Sequence, residues 1–180
     1  AGIDLGVSKL ATLSDGTVFD NPKTTAKYAK KLTRANKALA RKVKFSQNWK
    51  KAKTVLAKLH RKIARCRADA VHKMTAFIAA NYSDVALEDL NSAGMVKNRK
   101  LAKAVTDAAF STIRQQLEYK AIRVHFVDRW FPSTKLCPDC GCLNSMPLSQ
   151  RVYECSCGYG PVDRDLHAAR NILRQGLPKN

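Results

Sequence analysis

Apolar and polar positions alternate at the start of the chain: Ile3, Leu5 and Val7 are set against Gly2, Asp4 and Gly6, and Ser14-Asp15-Gly16 precedes Thr17-Val18-Phe19. A period of two belongs to a strand, and Ser-Asp-Gly to a hairpin turn, so residues 1–20 are predicted as strands. The chain opens inside the first of them, which suggests that something precedes Ala1. From Pro22 the period becomes helical. Lys23, Lys27, Lys30, Arg34, Lys37 and Arg41 fall within roughly 40° of one line, with Tyr28, Leu32, Ala35 and Leu39 roughly 120–180° away. After Ser46-Gln47-Asn48 a second stripe runs through Trp49, Ala52, Leu56, Leu59, Ile63, Cys66, Ala70, Met74 and Phe77. It predicts a longer helix returning antiparallel to the first, with Cys66 as a small core residue.

Val85-Ala86-Leu87 reads as a short buried strand ending at Glu88-Asp89, followed by a polar loop around Gly94. Leu101 to Tyr119 is predicted helical. Ile122, Val124 and Phe126 alternate with Arg123 and His125 as another strand, which Pro132 ends. After a cysteine-rich segment, an amphipathic helix spans about Asp163 to Arg174, closed by Gly176 and Pro178. This order predicts an α/β fold with a mixed sheet. There is no internal repeat and no low-complexity segment.

Charge sharpens the picture. The formal net charge is +19, from 33 Lys and Arg against 14 Asp and Glu. Between Lys23 and Lys73 there are 18 basic residues and one acid, Asp69. Such a local field releases counterions from a phosphate backbone, so nucleic acid is the expected partner and a membrane is not. On the two helices the candidate contacts are Lys23, Lys27, Lys30, Arg34, Lys37, Arg41, Lys50, Lys58, Arg61 and Arg65. A basic face that is merely solvated is the plainer reading. No apolar run approaches the ~20 residues of a membrane span, and no signal-peptide pattern is present, so a cytoplasmic location is expected.

Five of the six cysteines lie between Cys137 and Cys157. In a reducing compartment this favours metal ligation over disulfides. Cys137-Pro138-Asp139-Cys140-Gly141 and Cys155-Ser156-Cys157-Gly158 form two knuckles, the pattern of a structural Zn²⁺ site without an open position for water. Cys142 is a possible substitute ligand; Cys157 is preferred because Gly158 follows it.

Three acids complete the candidate chemistry. Asp4 lies mid-strand between Gly2 and Gly6, which would leave room for a metal and a phosphate. Glu88 ends a buried strand, and Asp165 sits in the first turn of the last helix. Brought together, they would hold two Mg²⁺ ions, or Mn²⁺, roughly 4 Å apart for phosphodiester hydrolysis. Taken singly, each has a plain reading as a surface acid or helix cap.

Gly2-Ile3-Asp4-Leu5-Gly6-Val7, Leu87-Glu88-Asp89-Leu90-Asn91, Asn98-Arg99-Lys100-Leu101-Ala102, Gln116-Leu117-Glu118-Tyr119-Lys120, Cys137-Pro138-Asp139-Cys140-Gly141 and Asp163 through Ile172 occur in this order. Together they resemble the OrfB/TnpB proteins of insertion sequences, relatives of type V CRISPR effectors, over essentially the whole chain. The resemblance implies an RNase H-like (RuvC) nuclease core over residues 1–135 and 159–180, with the basic helical hairpin of residues 22–80 inserted. It implies a target-nucleic-acid-binding zinc ribbon at residues 136–158. Asp4, Glu88 and Asp165 would be the catalytic metal ligands, with guide RNA and target DNA as partners, in a bacterial or archaeal cytoplasm near the nucleoid. By the same resemblance, the family's N-terminal region, which reads the target-adjacent motif and grips the guide, is expected to be absent from this sequence.

Two departures stand out: His167 replaces the family's usual Asn, and residues 119–122 form an unusually short connection. They imply weakened activity and either an early helix end or a deletion. The expected function is an RNA-guided DNA endonuclease. A decayed nucleic-acid-binding copy and a strand-transferring transposase are the alternatives. The sequence is silent on oligomeric state.

Overall fold

The computed structural model describes residues 1–99, 102–147 and 149–177. The first three strands, β1 (Gly2–Leu5), β2 (Lys9–Leu13) and β3 (Val18–Asp20), form an antiparallel meander. Gly16, at φ 97°, makes the predicted turn before β3, a backbone shape that favours glycine. Next come the helices α1 (Thr24–Ala40) and α2 (Gln47–Asn81). The strand β4 (Asp84–Glu88) lies parallel to β1, and β5 (Arg123–Val127) lies parallel to β4. The sheet order is β3-β2-β1-β4-β5, a mixed sheet in an α/β fold.

Side-chain alternation divides the core between the two faces. Ile3, Val85 and Leu87 join Val71, Met74 and Ile78 of α2, together with Ile113 and Leu117, in the larger cluster. The opposite face carries Gly2 and Ala86 and is covered by α6 (Arg164–Gly176), whose Ile172 packs with Ala86 and Val127. A Cβ at Gly2 would lie 2.1 Å from the Ala169 carbonyl oxygen. The glycine therefore serves helix packing. At Gly6 a Cβ would lie 2.9 Å from the Lys9 carbonyl oxygen, inside the β1–β2 turn. The space expected beside Gly2 is thus taken by α6, whereas Gly6, with its Cβ direction closed by Lys9, still borders an open hollow together with Asp4.

Several local expectations are corrected. The loop around Gly94 contains the helix α3 (Ser92–Lys97), started by the Asn91 side chain accepting from the Gly94 amide. The helix expected from Leu101 is two helices, α4 (Ala102–Ala108) and α5 (Phe110–Lys120). They break at Ala109, where φ is 52°. Leu101 itself, Lys100 of the 98–102 motif and Pro178 lie outside the described residues. Strand β5 stops at Val127, ahead of Pro132, and Phe77 is 42 % exposed while Val71, Thr75 and Ile78 take its share of the buried stripe. Helix α5 runs to Lys120, and two residues carry the chain into β5.

Along the hairpin, Tyr28, Leu32, Ala35 and Leu39 are half-buried against α2, and the outer part of α2 is at most half-buried, so the two helices project from the core. The hairpin's base is held by Asp107 of α4. Its carboxylate accepts from the Thr24 and Thr25 hydroxyls, the Thr25 amide and the Arg67 guanidinium, at 2.7–3.3 Å.

Candidate active site and cysteine cluster

Register and alternation bring the first two acids together. Gly2 pairs with Ala86 and Ile3 with Leu87, so the next residues, Asp4 and Glu88, leave neighbouring strand ends on the face covered by α6. Helix α6 begins there as well. Asp163 caps it, accepting from the amides of Asp165 and Leu166 at 3.0 and 3.1 Å, and this sets Asp165 in the first turn. Burial pushes the Asp4 carboxyl up to about 7, and the charges of Glu88 and Asp165 add to the rise while Arg164 opposes it. Glu88 is also raised by burial, against a 2.5 Å hydrogen bond donated by the Ser133 hydroxyl. Asp165 is met by Lys9 and Arg164, each at 3.5 Å. The neighbouring Asp89 is turned away into ion pairs with Arg114 and Arg129.

A hollow of about 450 Å³ lies over this site, lined by Asp4, Lys9, Thr12, Thr134, Arg151, Arg164 and Asp165 among others. Glu88 lines an adjoining groove of about 160 Å³ with Ser92, Ser111, Arg114 and Gln115. Leu5 borders both. The three acids thus share one electrostatic neighbourhood, with Glu88 turned toward Ser133.

The cysteine segment is a second centre. The Sγ atoms of Cys137, Cys140, Cys155 and Cys157 all lie within 4.8 Å of one another, the one such group of potential ligands among the described residues. Cys137–Cys157 and Cys140–Cys155 are each separated by 3.6 Å. Four thiolates at the ~2.3 Å bond length of zinc would stand about 3.8 Å apart, so the donor type and spacing both fit that ion. Each knuckle closes with a glycine of positive φ, 73° at Gly141 and 95° at Gly158. The amide of Cys157 brings the Cys155 thiol down to about 6, toward the ionised form a metal requires. Cys142 stands outside the group, exposed. The short strands β6 (Val152–Tyr153) and β7 (Val162–Asp163), which flank the second knuckle in sequence, pair antiparallel.

The cysteine segment is anchored to α6. Buried Asn171 donates to the carbonyl oxygens of Ser133 and Leu136, both at 2.8 Å. His167 is fully buried and stacks on Tyr153 with ring centroids 3.7 Å apart. It does not line the hollow and stands on the seam between the cysteine segment and the core.

Residues 1–99 match the OrfB IS605 family, described as "Probable transposase". The chain belongs to this family. Residues 110–172 match the TNB domain of Cas12f1-like proteins. Among OrfB/TnpB relatives, a protein of Streptomyces pristinaespiralis is 41% identical over 98% of this chain and 45% of its own length. InsQ of Escherichia coli (strain K12) is 37% identical over 97% of the chain and 48% of its own length. Both are named "Putative RNA-guided DNA endonuclease". TnpB-like protein L79 of Acanthamoeba polyphaga mimivirus is 28% identical over 86% of the chain. The chain spans less than half the length of the two bacterial relatives.

On the OrfB hairpin, Lys23, Lys27, Lys30, Arg34, Lys37, Arg41, Lys50, Lys58, Arg61 and Arg65 are all exposed. Among the described residues none of these ten is in an ion pair; Asp69, the hairpin's acid, pairs with Lys73. No helix among the described residues is long and apolar enough to cross a membrane. Sequence reasoning missed Ser133, Lys9, Arg151 and Arg164 at the site. For Ser133 the available signal was its place four residues before Cys137, and for Arg164 its place beside Asp165 in the Asp163–Ile172 motif; Lys9 and Arg151 carried none, because their approach to the acids depends on tertiary contacts.

Proposed function

We propose that this chain is the catalytic half of a Mg²⁺-dependent, RNA-guided DNA endonuclease with an RNase H-like (RuvC) core and a zinc ribbon at residues 136–158. The observation that carries this reading is the register that puts Asp4 and Glu88 at neighbouring ends of two parallel strands, with Asp165 in the first turn of the helix crossing them. Burial and the nearby charges of Glu88, Asp165 and Asp163 raise the Asp4 carboxyl accordingly. Carboxylate oxygens are the donors that Mg²⁺ prefers, and positive charge would relieve their repulsion. Asp4, Glu88 and Asp165 would hold the ions, which when bound would supply activation of a water and stabilisation of the leaving 3′ oxygen.

The chain's other residues have roles that follow from their positions. Lys9, Arg151 and Arg164 line the hollow and can grip a phosphate backbone entering it. Lys9 and Arg164, each 3.5 Å from Asp165, stand where a phosphate oxygen beside that carboxylate would meet them. The exposed cations of α1 and α2 suit guide and target strands, with affinity falling as salt rises. The names of the bacterial relatives support the same reading.

The decisive test is DNA cleavage by the full-length protein with its guide RNA and Mg²⁺. Asp4→Ala should abolish cutting while leaving nucleic-acid binding intact. Undiminished cutting by that variant would overturn the assignment, and binding without cutting by the wild type would favour a decayed copy.

A further inference from the structure

The tip of the basic hairpin carries a feature that the positive charge does not require. Between α1 and α2 the chain turns through residues 41–46, and Phe45 sits there at φ 66°. This left-handed shape is unfavourable for an aromatic residue. The ring gains little shelter from it: Phe45 is 68 % exposed and the nearby Val43 80 % exposed. Its one aromatic neighbour is Trp49, 5.5 Å between ring centroids at 57°. Trp49 is placed by the Ser46 cap, whose hydroxyl accepts from the Trp49 amide at 3.1 Å. A hydrophobic residue ahead of an N-cap often packs on the first turn simply to fix the chain's entry. That role calls for burial, and two-thirds of Phe45 remains in solvent.

The surroundings indicate what the rings face. Lys44 Nζ lies 5.2 Å from the Phe45 ring centroid and Lys53 Nζ 5.1 Å from that of Trp49. Lys42, Lys50 and Lys51 are exposed on the same turn and helix start. Two adjacent aromatic rings, Phe45 exposed and Trp49 half-buried, each with a lysine over it and with no acid between Asp20 and Asp69, match a ligand that is both planar and polyanionic. We propose that Phe45 and Trp49 form a stacking platform for unpaired nucleobases, with the flanking lysines holding the strand's phosphates. Duplex nucleic acid, whose bases are already stacked, would meet only the lysines. This rests on the reading of the hairpin as a nucleic-acid surface and adds to it a preference for single strands.

Trp130 is replaced by Phe so that Trp49 is the one tryptophan; affinity is measured by anisotropy of end-labelled strands in magnesium-free buffer, and stacking by Trp49 fluorescence. The probes are oligo-dT and oligo-rU of about 12 nucleotides, an abasic DNA strand of the same length and charge, and a duplex. Stacking predicts Trp49 quenching, and affinity about 5- to 30-fold tighter for base-bearing than for abasic strands. Phe45→Gly, suited to the left-handed backbone, should reduce that ratio several-fold with abasic binding unchanged. Phe45→Asn, which also tolerates the conformation, serves if the glycine variant loses its helical circular dichroism. The rU-to-dT ratio identifies which strand the platform prefers. Equal affinity for base-bearing and abasic strands, or an unchanged ratio in both variants, overturns the platform while leaving the hairpin a nucleic-acid surface. Failure to bind any probe overturns both.

Discussion

The Ser133 hydroxyl donates a 2.5 Å hydrogen bond to Oε1 of Glu88, and the Ser133 carbonyl oxygen accepts from Asn171. One residue, four positions before the first knuckle cysteine, therefore holds a candidate metal ligand with its side chain and is itself held by α6 through its backbone. Groups that orient a metal ligand commonly change affinity or activity by about 10- to 100-fold when removed. Ser133→Ala should weaken Mn²⁺ binding, measured by calorimetry, by about 10-fold and slow cleavage to a similar extent. Ser133→Thr, which keeps the hydroxyl, should restore most of both.

The protonation of Asp4 predicts how metal-free stability depends on pH. Its folded pKa of about 7 lies above that of an unfolded aspartate, so the folded chain keeps this proton longer. The corresponding stability is complete below about pH 4 and is lost as pH rises through about 7. Between these values the melting temperature of Asp4→Asn should therefore fall less than that of the wild type. Added Mg²⁺ above pH ~7 should raise the wild-type melting temperature and leave the variant nearly unchanged. Identical pH profiles for the two proteins would contradict the burial and crowding of this carboxyl.

For the cysteines, one zinc per chain is expected by elemental analysis. Cys155→Ser should abolish it and lower the melting temperature, because ligand binding and folding of the small segment are coupled. Cys142→Ser should retain it, since Cys142 stands outside the group of four. Loss of metal in the Cys142 variant would reassign the fourth ligand.

Asp107→Ala tests the hairpin's anchor. Burial alone would raise the Asp107 carboxyl, but hydrogen bonds from Thr25, Arg67 and Thr24 outweigh it and hold the group below the usual range. Its contribution is thus present at neutral pH and lost as pH falls through its folded value. Removing the carboxylate leaves the Arg67 guanidinium without its acidic partner and the Thr25 amide, at the start of α1, without its acceptor. Chemical denaturation at neutral pH should show a loss of about 2–4 kcal/mol, and the loss should shrink in acid.

Much of this protein is local in origin and was legible in the residues alone. The meander through Ser14-Asp15-Gly16, the two faces of α1, the start of α6 near Asp163 and the paired knuckles all follow from periods, turn chemistry and ligand spacing. The neighbourhood of Asp4, Glu88 and Asp165 became an expectation through resemblance to a family. Its physical basis is the parallel β1–β4 register, a pairing across more than 80 positions that no local pattern encodes. Tertiary packing also decided what Gly2 is for, since only the approach of Ala169 and Leu173 turns a missing side chain into a helix contact. It broke the helix at Ala109, where neither glycine nor proline announced a stop, and it set His167 against Tyr153 and away from the hollow. Sequence periodicity reports which face of an element is apolar; which element meets that face is settled by long-range contacts, and here those contacts assemble the site.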